Sequence, residues 1–156
     1  MSKSVKRVSR AAAELGLDIE VRRMGASTRT AEDAAAACGC AVGQIVKSLI
    51  FQRAEDGSLV LLLVPGDRQA DMTLAGAAAG STLTRADADE VRIRTGFAIG
   101  GVSPIGHLEA PEVWMDEPLL AHDQVWAAAG APDAVFAVAP DTLQRAAGAK
   151  VAKLSG

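Results

Sequence analysis

Lys47 is the residue whose type and position point most directly to chemistry. It stands within residues 45–51, a run rich in β-branched and apolar residues with a period of two, which predicts a strand. In that strand its side chain shares a face with Ile45, Leu49 and Phe51. A charged amine among apolar side chains is costly unless it has a partner, loses its proton or extends to water. Lys47 is therefore either a cavity lysine that binds an anion or assists proton transfer, or a lysine on an edge strand with its head in solvent.

Residues 100–104, Gly-Gly-Val-Ser-Pro, form the second candidate. Two adjacent glycines permit unusual backbone conformations and the close approach of a ligand. Successive N–H groups in such a loop can hold a carbonyl oxygen or an anion. The alternative is an ordinary connecting loop. The segment matches neither G-x-G-x-x-G nor a Walker motif, so the sequence does not support nucleotide binding of those types.

The remaining chemistry-bearing residues form no known catalytic arrangement. His107 and His122 are the two histidines, and no G-x-S-x-G precedes them, so a Ser-His-Asp triad is not indicated. His107 follows the glycine loop and is either a cavity residue or a polar surface residue. Cys38 and Cys40 lie two apart, which is the wrong spacing for a C-x-x-C redox or zinc site. Carboxylates that follow strand candidates are either site groups or turn and cap residues: Asp67, Asp71 and Asp116.

The elements that must position these residues alternate between helices and short strands, which predicts an α+β fold with a mixed, mostly antiparallel sheet. Thr28 or Thr30 is a candidate N-cap for the second helix, and Asp141 for the last. Residues 59–64 are apolar on both faces, which predicts a central strand. Helices are predicted over residues 5–15, 27–39, 74–79, 87–94 and 142–147; strands over 19–22, 45–51, 59–64, 113–116 and 135–138; and residues 124–129 fit either.

The composition excludes several classes of protein. Hydrophobic residues make up 49% of the 156 residues, aromatic residues only 3%, and the formal net charge is −3. About a fifth of the chain is Ala. This chain is too apolar to be disordered, has too few cysteines for a disulfide scaffold, and lacks the aromatic residues on which single-strand nucleic-acid binders stack bases. Length predicts a single domain, residues 1–156, and the lack of an apolar leader or membrane span predicts a cytoplasmic protein.

Basic residues are clustered locally although the chain is acidic overall. Each cluster is either part of a phosphate-binding patch or a solvated helix face. The clusters are Lys3, Lys6, Arg7 and Arg10; Arg22, Arg23 and Arg29; and Arg92 and Arg94.

Five segments together resemble a known family in both order and spacing. They are residues 30–35, 43–51, 64–67, 95–106 and 114–117. The sequence resembles the YbaK/EbsC family, which includes the editing domain of bacterial prolyl-tRNA synthetases and its free-standing relatives. The resemblance extends from about residue 28 to the C-terminal end, and more weakly over the first helix. The I-V-K-x-L and G-x-x-x-P segments at this separation are its most specific features.

The resemblance implies the editing-domain fold, with a partly barrel-like sheet, and hydrolysis of mischarged aminoacyl-tRNA. The family acts most often on the tRNA for proline carrying a small wrong amino acid. Lys47 matches the essential lysine that helps to hold the acylated terminal adenosine, and Gly100 and Pro104 match the ends of the loop that positions the aminoacyl group. The family needs no metal, cofactor or protein nucleophile, and a hydroxyl of the terminal ribose helps to orient the attacking water.

The candidate site residues follow from these arguments. Ser48 follows the lysine at a position where family branches differ, so it marks substrate choice. Small residues around Lys47 would leave room for a small amino acid. The catalytic candidates are Lys47, Gly100 and Gly101, and the substrate-binding candidates are Thr30, Ser48, Val102, Ser103, Pro104, His107 and Asp116.

The expected partners are the 3′ acceptor end of aminoacyl-tRNA and an aminoacyl-tRNA synthetase, with neither membrane nor DNA involved. The chain has no synthetase or anticodon-binding portion, so we expect a free-standing editing enzyme. Two alternatives remain: a non-catalytic module of the same fold that binds tRNA or a synthetase, and a small-molecule hydrolase that acts on free aminoacyl esters. The sequence leaves open the amino acid, the tRNA and the oligomeric state.

Overall fold

The computed structural model describes residues 2–25 and 30–156, and within them the chain forms five α-helices and eight β-strands. The helices are α1 (Lys3–Glu14), α2 (Ala31–Cys38), α3 (Met72–Ala79), α4 (Ala88–Thr95) and α5 (Pro140–Ala147). The strands are β1 (Arg22–Arg23), β2 (Val46–Arg53), β3 (Leu59–Pro65), β4 (Leu83–Arg85), β5 (Glu112–Asp116), β6 (Val125–Ala128), β7 (Ala134–Val138) and β8 (Lys150–Ala152). Short 3-10 helices cover Val42–Gln44 and Glu117–Ala121.

Strand β3 is the centre of the larger sheet, as its apolar sequence predicts. Every residue of β3 is buried. It pairs antiparallel with β2 from Val46↔Pro65 to Gln52↔Leu59, and parallel with β5 on its other side. The sheet has the order β4-β2-β3-β5-β8. The prediction of an α+β fold with a mixed sheet is confirmed.

A second, three-stranded antiparallel sheet has the order β1-β7-β6. A single parallel bridge between Ile45 and Trp126 connects it to the start of β2. The main hydrophobic core lies between the two sheets and includes α1, whose Val5 and Val8 are fully buried. The site is built where the two sheets separate.

Two helices begin at capping residues seen in the sequence, and Thr28, the other N-cap candidate for α2, lies outside the described residues. The Thr30 hydroxyl accepts a hydrogen bond of 3.0 Å from the Asp33 N–H at the start of α2. The Asp71 carboxylate accepts from two N–H groups at the start of α3. No helix in the described residues has both the length and the apolar character that crossing a membrane requires.

Three sequence-based assignments differ from the structure. The strand predicted over residues 19–22 is shifted to Arg22–Arg23, because those are the residues that pair with β7. Asp141 lies in the first turn of α5 and is not its N-cap, since Pro140 begins the helix one residue earlier than Asp141. Strands β4 and β8 were not predicted, because each has three residues and depends on a neighbouring strand for pairing. Residues 124–129, which fit either state, contain strand β6.

Arg7 of α1 holds both ends of the segment that contains the glycine loop. Its Nε donates to the Gly106 carbonyl at 2.7 Å, and its Nη2 donates to the Gly96 carbonyl at 2.8 Å. The guanidinium carbon also lies 4.7 Å from the centre of the Phe97 ring. One side chain of the first helix therefore fixes where the loop begins and ends.

His107 is part of this packing. Its Nε2 lies 2.5 Å from the Ser103 carbonyl oxygen, so Nε2 carries the proton and donates to it. The ring meets Phe97 edge-on, with 5.0 Å between ring centres. Burial lowers the pKa of His107 to about 4, with a smaller contribution from the nearby Arg7 charge, although the Ser103 bond acts in the opposite direction. The imidazole is therefore neutral at physiological pH.

We expect His107 to make the protein less stable as pH falls from about 6.5 to about 4. In that interval the unfolded state binds a proton that the folded state does not, so the free energy of unfolding decreases with falling pH. At pH 4.5 the contribution is about 2 to 3 kcal/mol. Urea denaturation of the wild type and of His107→Gln between pH 7 and pH 4.5 measures it. The variant should lose less stability than the wild type over this range.

His122→Gln is the control and should retain the wild-type dependence of the free energy of unfolding on pH. The same pH dependence in all three proteins would contradict the role of His107.

Candidate functional site

A cavity of about 340 Å³ lies between α2, the middle of β2, strands β6 and β7, and the loop that follows α4. Its walls are mainly apolar and many of the residues are small. Helix α2 contributes Ala31 and Ala34, and β6 contributes Ala127 and Ala128. The other lining residues are Thr30, Ile45, Val46, Lys47, Ser48, Leu49, Ile99, Gly100, Val102, Trp126, Pro132, Ala134 and Val135.

Lys47 provides the only charged side chain among the described residues that line this cavity. It is half-buried, and its ammonium group donates to the Arg68 carbonyl oxygen in the turn that follows β3. Its partner is thus a neutral main-chain group and not a carboxylate. The ammonium lies at the cavity, where it can interact with an anionic or carbonyl oxygen.

The two glycines of the loop have different roles. Gly100 lines the cavity with a φ of +95°, a backbone conformation that L side chains rarely adopt. The Gly101 N–H is already used, since it donates to the Ala98 carbonyl at 2.9 Å and closes a tight turn. A Cβ on Gly101 would lie 3.0 Å from the Cα of Ala131. The structure therefore shows Gly101 in close packing, with its N–H already paired; its catalytic assignment stays a prediction.

Ser48 is unusual because its hydroxyl is buried without a hydrogen-bond partner among the described residues. Such groups are rare in proteins, because an unsatisfied buried hydroxyl costs about 1–3 kcal/mol. Ser48 also lines a second cavity of about 790 Å³ that continues along β2 toward Arg85. The two cavities share Ser48, Leu49, Ile99, Gly100 and Val102. They therefore form one groove along the outer edge of β2.

The structure brings together five of the predicted site residues and leaves the others elsewhere. Thr30, Lys47, Ser48, Gly100 and Val102 line the first cavity, although the Thr30 hydroxyl is engaged in capping α2. Gly101, Ser103, Pro104, His107 and Asp116 do not line it.

Three of the displaced residues, Ser103, His107 and Asp116, have hydrogen-bond partners outside the cavity. The Ser103 hydroxyl accepts from the Ile105 N–H at 3.3 Å, and its carbonyl accepts from His107. Asp116 is fully buried and accepts from the Leu154 N–H at 2.8 Å and from the Ser155 hydroxyl. Asp116 thus anchors the C-terminal segment, and nothing in its contacts connects it to the cavity.

The second sheet supplies cavity residues that sequence reasoning missed. Trp126 and Ala128 of β6 and Val135 of β7 line the cavity, together with Ile99, which is 55% exposed at the tip of the loop turn. The sequence could not assign Trp126 and Ala128 because residues 124–129 fit either a helix or a strand. In the sequence, the position of Ile99 directly before the double glycine of the candidate loop is the feature that could have placed it at the site.

The described lining residues offer no nucleophile with an adjacent base. They include no His, Cys or carboxylate. The pKa values of Cys38 and Cys40 are raised by burial, so both thiols stay protonated at neutral pH. Arg22 lies over the Trp126 ring, with the guanidinium carbon 4.8 Å from the ring centre, which adds a positive charge close to the cavity. The site is therefore suited to binding and polarising an already reactive group.

Comparison with known proteins identifies the family. The model of the aminoacyl-tRNA editing domain matches residues 26–146. A solved structure described as a candidate trans-editing enzyme for prolyl tRNA synthetase is 44% identical, with a TM-score of 0.94 over 100% of this chain and 99% of that chain. A structure of the hypothetical protein APE2540 is 31% identical, with a TM-score of 0.87 over 96% of this chain and 99% of that chain.

A relative from Bacillus subtilis (strain 168), the uncharacterized protein YwhH, is 31% identical over 132 residues, or 85% of this chain and 83% of the relative. The family match covers α2, the β2–β3 hairpin, the glycine loop and both walls of the cavity. The chain therefore belongs to the aminoacyl-tRNA editing domain family.

Proposed function

We propose that the protein hydrolyses mischarged aminoacyl-tRNA and releases a small wrong amino acid from the 3′ end, with the tRNA for proline as the preferred substrate. The observation that carries this proposal is the cavity that joins Lys47 and Gly100 to walls of small apolar residues. Family membership and the trans-editing description of a 44% identical structure support it.

The proposed chemistry is attack of water on the ester carbonyl. The carbonyl carbon gains an oxygen from water, the bond to the ribose oxygen breaks, and that oxygen receives a proton as the leaving alcohol. An aminoacyl ester is already activated, so a positioned water and a stabilised oxyanion suffice. A hydroxyl of the terminal ribose helps to orient the water, which is consistent with described lining residues that contain no His, Cys or carboxylate.

Lys47 is proposed to hold the acylated end by its ammonium group. Among the described residues, the Lys47 ammonium donates to a main-chain carbonyl and forms no ion pair with a carboxylate. It can therefore contact a phosphate, ribose or carbonyl oxygen of the acylated end. The adjoining larger cavity, which includes Phe51 and Arg85, provides space for the terminal nucleoside.

The preference for a small amino acid is proposed from the cavity walls. Alanines from α2, β6 and β7 line it, and each leaves space that a larger side chain would fill: Ala31, Ala34, Ala127, Ala128 and Ala134. One methylene group in such a cavity is worth about 1–3 kcal/mol, so selection must depend mainly on excluding residues that are too large.

We expect Lys47→Ala to lower kcat/KM for alanyl-tRNA(Pro) by about 100-fold, since it removes the charged group from the cavity. Single-turnover deacylation of a panel of mischarged tRNAs measures this. Lys150→Ala is the matched control, because Lys150 lies on β8 at the far edge of the same sheet and is 64% exposed. Its activity should stay within about 2-fold of the wild type.

The same panel tests the proposal as a whole. Hydrolysis of no member above the spontaneous rate, together with tight binding of tRNA or a synthetase, would instead establish a non-catalytic binding module. Hydrolysis of free aminoacyl esters at the same rate as aminoacyl-tRNA would indicate a small-molecule hydrolase. Full activity in Lys47→Ala would remove the lysine from the proposed mechanism.

We expect Ala128→Val to shift selection toward the smallest substrate, because Ala128 lines the cavity and a larger side chain reduces its volume. The ratio of kcat/KM for alanyl-tRNA over 2-aminobutyryl-tRNA should rise by about 10-fold or more. Ala137→Val on the neighbouring strand β7 is the control, since Ala137 does not line the cavity. An unchanged ratio in Ala128→Val would exclude this wall from size selection.

A further inference from the structure

The middle of β2 has a main-chain edge that neither neighbouring strand covers. On one side β2 pairs with β3 along its length. On the other side, the bridge from β6 reaches only Ile45, and the pairing with β4 begins only at Phe51. Ser48 lies midway between these two contacts. This uncovered edge borders the groove formed by the two cavities.

The register shows which main-chain groups face the groove. The Gly66 N–H donates to the Ile45 carbonyl at 2.7 Å, and the Arg53 N–H donates to the Ser58 carbonyl at 2.9 Å. In an antiparallel pair the hydrogen-bonded positions alternate, so Lys47, Leu49 and Phe51 direct their main-chain groups toward β3. Ser48 directs its N–H and C=O away from β3 and into the groove. Among the described residues, no strand pairs with Ser48 on that side.

An aminoacyl group presents the polar atoms that complement this edge. Its α-nitrogen is a donor, and its ester carbonyl oxygen is an acceptor. The described residues of the first cavity contain no carboxylate to bind the amine, and the carboxylate of Asp87 in the second cavity accepts from two N–H groups at the start of α4. A main-chain carbonyl is therefore the acceptor that the site offers. The N–H of Ser48 is the matching donor for the carbonyl oxygen of the ester. Strand edges bind extended peptides by the same pairing of main-chain groups.

We propose that Ser48 pairs through its main chain with the esterified amino acid, as if that amino acid were one residue of an added strand. The Ser48 carbonyl accepts from the α-amino group, and the Ser48 N–H donates to the ester carbonyl oxygen. This proposal rests on the proposed function and identifies the groups that orient its substrate. The N–H also stabilises the oxyanion that forms on that oxygen, a role that the engaged N–H of Gly101 does not fill.

The pairing explains how one cavity can accept different small side chains. Main-chain contacts are the same for every amino acid, so orientation of the ester does not depend on the side chain. The side chain is then selected by the cavity walls alone. An acyl group without a donor in the α position leaves the Ser48 carbonyl unpaired, which is unfavourable in a largely apolar groove.

Amide hydrogen exchange on the intact protein tests the pairing. The probe is 3′-alanylamino-3′-deoxyadenosine on an acceptor-stem minihelix, whose amide bond resists hydrolysis. We expect the Ser48 amide to exchange fast in the free protein and at least about 10-fold more slowly with the probe bound. The Leu49 amide is the internal control, since it faces β3 and should be protected in both states. An unchanged Ser48 rate with the probe bound would overturn the proposal and leave the proposed function intact.

Two further measurements separate the main chain from the side chain. The isobutyryl probe replaces the α-amino group by a methyl group, and it should bind at least about 10-fold more weakly than the alanyl probe. Equal binding of the two probes would contradict recognition of the amine. Ser48→Ala removes only the hydroxyl, so protection of residue 48 by the alanyl probe should persist; loss of it would assign the contact to the side chain and overturn the proposal. If the wild type binds neither probe and hydrolyses no aminoacyl-tRNA, the proposed function fails and the pairing with it.

Discussion

One edge of strand β2 pairs with β3, and two strands that approach from different directions contact its other edge. β6 meets it at Ile45 and β4 at Phe51, and the distance between these contacts opens the groove. A continuous partner along this edge would satisfy every main-chain group and leave no cavity. The position of Lys47 and Ser48 between the two contacts therefore follows from the topology of the sheets. The site is a gap in strand pairing that apolar walls enclose.

A single positively charged side chain of α1, that of Arg7, holds the opposite wall of the groove in place. Arg7 bonds to the carbonyls of Gly96 and Gly106, and its guanidinium group covers Phe97. Between these two points the chain forms the turn that brings Gly100 to the cavity. The glycine loop is thus held at its ends and close-packed at Gly101, while Gly100 keeps a positive φ at the rim. A fixed loop opposite a fixed strand suits a site that orients its substrate without a nucleophile of its own.

The sequence was sufficient for the elements with strong local patterns. The apolar run of β3, the period of two around Lys47 and the cap at Thr30 all depend on neighbouring residues, and the structure agrees with them. The sequence did not predict the roles of residues whose positions depend on tertiary contacts. Asp116 has the position of a site carboxylate in the sequence, but the C-terminal residues Leu154 and Ser155 engage it. The role of β6 as a cavity wall required knowledge of how the two sheets meet.

The bonds of Arg7 join residues that lie 99 and 89 positions apart in the chain. The β2–β3 hairpin, in contrast, closes through the short turn that contains Gly57. Long-range contacts form late, because the entropy of closing a large loop must be overcome first. A folding chain should therefore complete the strand that carries Lys47 well before it fixes the loop that faces it. Partly folded molecules would have the lysine in its strand but no enclosed cavity. The site would therefore be complete only after the last step of folding.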